Sequence, residues 1–143
     1  MNQQPKVVLD TNVIVSALLS RQGASFEILR RITEKDFTVC ISVPLVLEYE
    51  DALKRNAMKG RMTAGAIDQV LDYLCATAEQ HRINFLWRPH LKDPKDDMVL
   101  ELALAAGCDY IVTLNLADFR IKTRGPMRVV TPADLVTILE KRK

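Results

Sequence analysis

The residues best suited to chemistry are carboxylates placed where apolar stretches end. Val7-Val8-Leu9 reads as a buried strand and stops at Asp10-Thr11-Asn12. In an α/β protein, a carboxylate that follows a buried strand falls in the crevice beyond the carboxyl edge of the sheet. Further acids follow at comparable points: Glu48, the cluster Asp93, Asp96 and Asp97, and Asp118. Acids scattered in sequence but gathered by a fold suit a hard divalent cation such as Mg2+ or Mn2+, which prefers oxygen ligands and keeps some of its water. Such an ion acidifies a bound water, aims it at phosphorus and stabilises charge on the leaving oxygen. No side-chain nucleophile is then required, and the chemistry indicated is cleavage of a phosphodiester.

Each of these residues also has a local role open to it. Asp10 or Asn12 is a suitable cap for a following helix. Asp93, Asp96 and Asp97 fall in a first helical turn, where acids favour the helix dipole. Three acids in five residues exceed what capping needs, and Asp97, four residues beyond the cap, is placed to face the crevice. Thr113, Asn115 and Asp118 suit an ordinary turn. Glu48 is less easily assigned to such a role. It shares a helical side with Leu45 and Ala52, and a carboxylate near a buried face is costly unless paired or bound to a cation.

The elements that must position these groups alternate between strand and helix. Strands are expected at Lys6–Leu9, Thr38–Ile41, Tyr110–Thr113 and Arg128–Val130, with a small one at Ile83–Trp87. A short helix is expected from Asn12 to Leu19, and a second with Ser25 as its cap and Ile28, Leu29 and Ile32 on one side. Ser42 and Pro44 open a third helix, carrying Val43, Leu45, Val46, Leu47, Ala52 and Leu53, which Gly60 ends. Thr63 or Ala64 opens a fourth. Asp93-Pro94 starts one with Val99, Leu100, Leu102, Ala103 and Ala106 on its buried face, closed by Gly107. Thr131-Pro132-Ala133-Asp134 begins the last. Short apolar strands alternating with helices predict an α/β fold: three layers, helices on both faces of a mostly parallel sheet.

Composition narrows the function classes. At 143 residues the chain is expected to form a single domain, residues 1–143. Aromatic residues make up only 6%, which disfavours recognition by rows of stacking rings. A net charge of +2 neither demands nor excludes nucleic acid, so any phosphate groove must be local; Arg21, Arg120, Lys122 and Arg124 are the candidates near the acids. Cys40, Cys75 and Cys108 lack metal-site spacing and read as buried thiols in a reducing compartment. His81 and His90 read as surface or loop residues. The polar N-terminus and the lack of a long apolar run give an expectation of a cytoplasmic protein with no membrane association.

Taken in order, three stretches resemble the PIN-domain family, and within it the VapC-like toxins of toxin–antitoxin pairs. They are Val7 to Asn12, Ser42 to Glu48, and Asp93 to Ala103 continued by Gly107 to Thr113. The resemblance implies a PIN-like α/β/α fold and an Mg2+- or Mn2+-dependent endoribonuclease that hydrolyses RNA with metal-activated water. It implies Asp10, Glu48 and Asp97 as catalytic metal ligands, with Asp96 the alternative to Asp97. Asn115 or Asp118 completes the site, because Asn115 stands where the family often carries a fourth acid. Thr11, Asn12 and Thr113 support the ligands. A cognate antitoxin and a homodimer are the implied protein partners. Two rival readings are weighed. An aspartyl-nucleophile phosphatase normally has a second Asp two residues after the first, where this chain has Asn12. A PIN-type RNA-binding scaffold of weak or no activity has Asn115 as its support.

Overall fold

The apolar runs become short strands buried on both faces. In the computed structural model, which describes residues 4–83, 94–119 and 127–142 (94–97 by backbone only), five parallel strands form one sheet. They are β1 (Lys6–Leu9), β2 (Thr38–Ile41), β3 (Glu79–Gln80), β4 (Tyr110–Val112) and β5 (Arg128–Val130), in the order β3-β2-β1-β4-β5. Val7, Val8 and Leu9 are fully buried, as expected of a central parallel strand covered by helices. Helix α5 (Pro94–Ala106) packs on β1, β2 and β4. Helices α1 (Thr11–Leu19), α2 (Ala24–Arg31) and α6 (Pro132–Lys141) pack in sequence on one another, and α3 (Val43–Met58) touches α1, α4 (Ala64–Thr77) and α5. The architecture is the expected three-layer α/β/α fold.

The helix boundaries follow their caps. Ser42 accepts a hydrogen bond from the Leu45 amide, and Pro44 occupies the first turn of α3. Thr63 caps α4, and Thr131 with Asp134 forms a reciprocal capping box on α6. Gly107 adopts φ +67° where α5 ends, a conformation costly for any residue with a Cβ.

Three expectations are corrected. Ser25 does not cap α2: the cap position is Gly23, two residues earlier, the helix starts at Ala24, and Ser25 is buried inside it. The small strand forms at Glu79–Gln80, where the chain leaving α4 meets the β2 edge; residues 84–87 of the expected segment lie outside the described residues. Cys75 is exposed rather than buried. Apart from these corrections, α3 leaves Val43 and Leu47 71% and 57% exposed, because its buried stripe is Leu45, Tyr49, Ala52 and Leu53 and these two point away from it.

An ion network joins α2 to α6. Arg31 is buried and bonds Glu27 at 2.7 Å and the Glu140 carboxylate, while Arg30 bonds Glu27 at 2.7 Å and reaches Glu34 at 3.5 Å. The Arg30 and Arg31 guanidiniums hold the Glu27 carboxyl down to about 2. A carboxyl lowered on folding stabilises the fold above its unfolded pKa, near 4.5, and that contribution disappears as pH falls towards 2. Thermal unfolding followed across pH is therefore expected to show Glu27→Gln melting below the parent at pH 7, with the gap closing between pH 4.5 and 2.

Candidate active site

The chain runs from β1 outward through β2 to β3, then returns to lay β4 and β5 on the other side of β1. The boundary between β1 and β4 is thus a topological switch point, where open α/β sheets leave a crevice beyond the carboxyl ends of their strands. Asp10 follows β1 and Thr113 follows β4 on either side of it. The Asp10 amide donates to the Val112 carbonyl at 2.8 Å, carrying the β1–β4 ladder into the site.

A compact network fixes the Asp10 carboxylate. Its Oδ1 accepts from the Thr11 amide at 2.8 Å, so Asp10 does cap α1. Its Oδ2 accepts from the Thr113 hydroxyl at 2.7 Å. Thr113 is fully buried, and its Oγ1 also accepts from the Asn115 amide at 3.0 Å and from Asn12 Nδ2 at 3.4 Å. One donor and two acceptor positions are then all in use, which fixes the direction of the hydroxyl proton towards Asp10. Asn12 Oδ1 accepts from the Leu114 amide at 3.1 Å, tying α1 to the segment after β4. Asn115 Nδ2 donates to Asp118 Oδ2 at 2.8 Å and so orients that acid.

Helix α3 forms the opposite wall. Asp10, Thr11, Asn12, Glu48, Arg55 and Asp118 line one cleft of about 550 Å³, together with Val15, Leu19 and Leu114. Arg55, two helical turns beyond Glu48, places Nη2 3.8 Å from Glu48 Oε1 and also pairs with Asp51. The set of donors facing this cleft is carboxylate oxygen, which fits a hard divalent cation. A second cavity, of about 580 Å³, lies between α3 and the chain after β3, beside Val43 and Leu47; it has no carboxylate among its described lining residues.

The structure brings Asp10, Thr11, Asn12, Glu48 and Asp118 to one cleft, with Thr113 beneath Asp10 and Asn115 against Asp118. Arg21 is exposed in the turn after α1, next to the cleft residue Ser20. Asp93, Arg120, Lys122 and Arg124 lie outside the described residues, as do the side chains of Asp96 and Asp97. The backbone of Asp96 and Asp97 is in the first turn of α5. That helix delivers the chain to the start of β4, so its own start lies towards the carboxyl edge of the sheet.

Sequence reasoning passed over two residues. Tyr49 is fully buried one position after Glu48, and its hydroxyl donates to the Leu9 carbonyl. Burial raises its pKa well above the usual phenol value, and the Asp10 charge adds to the effect, so the group stays a donor. Its signal was the spacing from Leu45 and Leu53, four residues to either side. The other is Arg55, whose signal is its spacing: seven residues from Glu48 is the same face of a helix.

The PIN domain family model matches residues 6–117. The chain belongs to the PIN-domain family. PIN domains are generally nucleases, and PIN nucleases generally use divalent metal ions. No curated protein matches this sequence. Among solved structures, the chain is similar to one in VapBC2 from Rickettsia felis bound to a DNA fragment from its promoter. The TM-score is 0.60 at 15% identity, covering 88% of this chain and 98% of that one. It is also similar to PAE2754 from Pyrobaculum aerophilum, with a TM-score of 0.59, 17% identity and 96% of each chain covered. At these identities the likeness is one of fold.

Because Tyr49 joins Glu48's helix to the end of β1, Tyr49→Phe is expected to leave the Leu9 carbonyl without this donor. The predicted cost is about 1–2 kcal/mol, read from urea unfolding.

Proposed function

We propose that this PIN-domain protein is an Mg2+- or Mn2+-dependent endoribonuclease, the toxin of a type II toxin–antitoxin pair acting in the cytoplasm. The observation that carries the reading is the clamp at the switch point. Thr113 and the Thr11 amide hold the Asp10 carboxylate at the rim of a cleft that Glu48 and Asp118 share.

Asp10, Glu48 and Asp97 would hold the ion, with Asp118, oriented by Asn115, or Asn115 itself completing the site. When bound, the ion supplies Lewis acidity that makes water a better nucleophile and offsets charge on the leaving oxygen. The chain's own residues do the positioning. Thr113 and Thr11 fix the direction of the Asp10 oxygens, and Asn12 braces the segment that carries Asp118. Arg55 brings a positive charge to the acidic wall, suited to a bridging phosphate, with Arg21, Arg120, Lys122 and Arg124 as further phosphate contacts.

The VapBC2 neighbour supports an antitoxin partner for this chain. A homodimer is supported by the exposed apolar residues Val43 and Leu47 on α3. No helix among the described residues is long and apolar enough to cross a membrane.

The decisive assay is cleavage of a labelled RNA with and without Mn2+. Parent protein is expected to cut only with the metal. Asp10→Asn, which keeps the size of the side chain, is expected to lose at least about 100-fold in rate with an unchanged far-ultraviolet circular dichroism spectrum. Cutting by Asp10→Asn at the parent rate defeats the assignment, and Mn2+ binding without cleavage of any RNA favours the scaffold reading. Thr113→Val, which removes the donor to Asp10, is expected to weaken Mn2+ binding by about 10–100-fold in calorimetric titration, with cleavage recovering at high Mn2+.

A further inference from the structure

A different set of ligating side chains lies away from the acidic cleft. Lys6 opens β1 and Asp10 follows it, so about 13 Å of strand separates this set's Lys6 contact from the switch point. Cys40 of β2 pairs in register with Glu79 of β3, which puts their side chains on the same face of the sheet. The His81 amide donates to the Ile41 carbonyl at 2.8 Å, extending the ladder one step and bringing the imidazole back to the same place. His81 Nε2 lies 2.6 Å from Glu79 Oε1. The Cys40 sulfur, a Glu79 carboxylate oxygen and a His81 ring nitrogen all lie within 4.8 Å of one another. Cys108, in the turn between α5 and β4, is a second buried thiol; its sulfur neighbours that of Cys40 but lies outside this 4.8 Å group.

We propose that Cys40, Cys108, Glu79 and His81 form a structural zinc site. Two thiolates, an imidazole and a carboxylate are a four-ligand set for borderline-soft Zn2+ and unsuited to the hard ions of an all-oxygen cleft. Zinc bonds of about 2.0–2.3 Å in a tetrahedron put neighbouring ligand atoms about 3.3–3.8 Å apart. The three mapped ligand atoms, all within 4.8 Å of one another, approach this spacing; the 2.6 Å contact between His81 and Glu79 opens to admit the ion, and the Cys108 sulfur turns inward to complete the tetrahedron. Two thiolates and a carboxylate exceed the charge of Zn2+ by one, and the Lys6 ammonium, 3.0 Å from Glu79 Oε1, neutralises the excess. The carboxylate's second oxygen lets Lys6 keep this ion pair while the first turns to the metal.

The ligands come from β2, from β3 with the residue just beyond it, and from the α5–β4 turn. β3 is two exposed residues long and pairs only with β2 among the described strands. A metal bridging these elements fastens that edge strand to buried sulfur in the core. None of the ligands belongs to the proposed nuclease site, so the two readings stand or fall separately.

The test uses the full chain, reduced, stripped by chelator and titrated with Co2+ alone, then Zn2+. One equivalent of Co2+ is expected to give a thiolate-to-cobalt charge-transfer band and the strong visible bands of a tetrahedral ion, both removed by Zn2+. The spectrum is expected to persist in Asp10→Asn and in Cys75→Ser, and Zn2+ is expected to raise the melting temperature. His81→Ala, altering a part-exposed side chain outside the core, is expected to weaken Co2+ binding at least about tenfold and to lose the Zn2+ effect on melting. Cys40→Ser is expected to diminish the charge-transfer band. No thiolate band in the reduced parent, or an unchanged band and affinity in His81→Ala, overturns the proposal. So does a Cys40–Cys108 disulfide forming in air in a protein that binds no Co2+ when reduced.

Discussion

A buried side-chain hydrogen bond crosses the switch point between β1 and β4 and fixes the carboxylate there. Thr113 lies fully buried at the end of β4, and its hydroxyl has one way to satisfy its neighbours: accept from Asn115 and Asn12, and donate to Asp10. The bond crosses the switch point, and the cleft is arranged around the carboxylate it holds. A carboxylate this deep is tolerated because hydrogen bonds from Thr113 and Thr11 stabilise its charge.

Helix α3 takes part in both packing and site geometry. Leu45, Tyr49, Ala52 and Leu53 give it a core face, and Glu48 stands at the border of that face with Arg55 two turns on. Tyr49 couples the two roles. Its hydroxyl reaches the carbonyl of Leu9, the residue before Asp10, so the wall bearing Glu48 is registered against the strand bearing Asp10. Membership of the PIN-domain family agrees with this arrangement, since acids from separate elements facing one cleft suit divalent-metal nuclease chemistry.

Much of the fold was legible because its signals are local. Strand limits at Lys6–Leu9, Thr38–Ile41 and Arg128–Val130 follow from apolar runs, and the caps at Ser42, Thr63 and Thr131 from side chains that bond their own helix. Ser25 misled because a capping residue type one position inside a helix looks the same in sequence as a cap. Glu79–Gln80 carries no apolar pattern at all; it is a strand only because β2 offers it an edge. Hydrophobicity alone does not say which side of a helix meets the sheet: Val43 and Leu47 are as apolar as Leu45 and Leu53 and stay exposed.

By itself the sequence determined which residues are chemically competent and the elements that carry them: Asp10 after a buried strand, Glu48 on a helix beside core residues, Asn115 and Asp118 in a turn. Those properties depend on residue type and short-range spacing. Only the tertiary structure decided that Thr113 donates to Asp10, and that Cys40 meets Cys108 and His81. Those contacts span from about forty to more than a hundred residues of chain. Strand order, register and helix packing bring them about, and no local pattern records them.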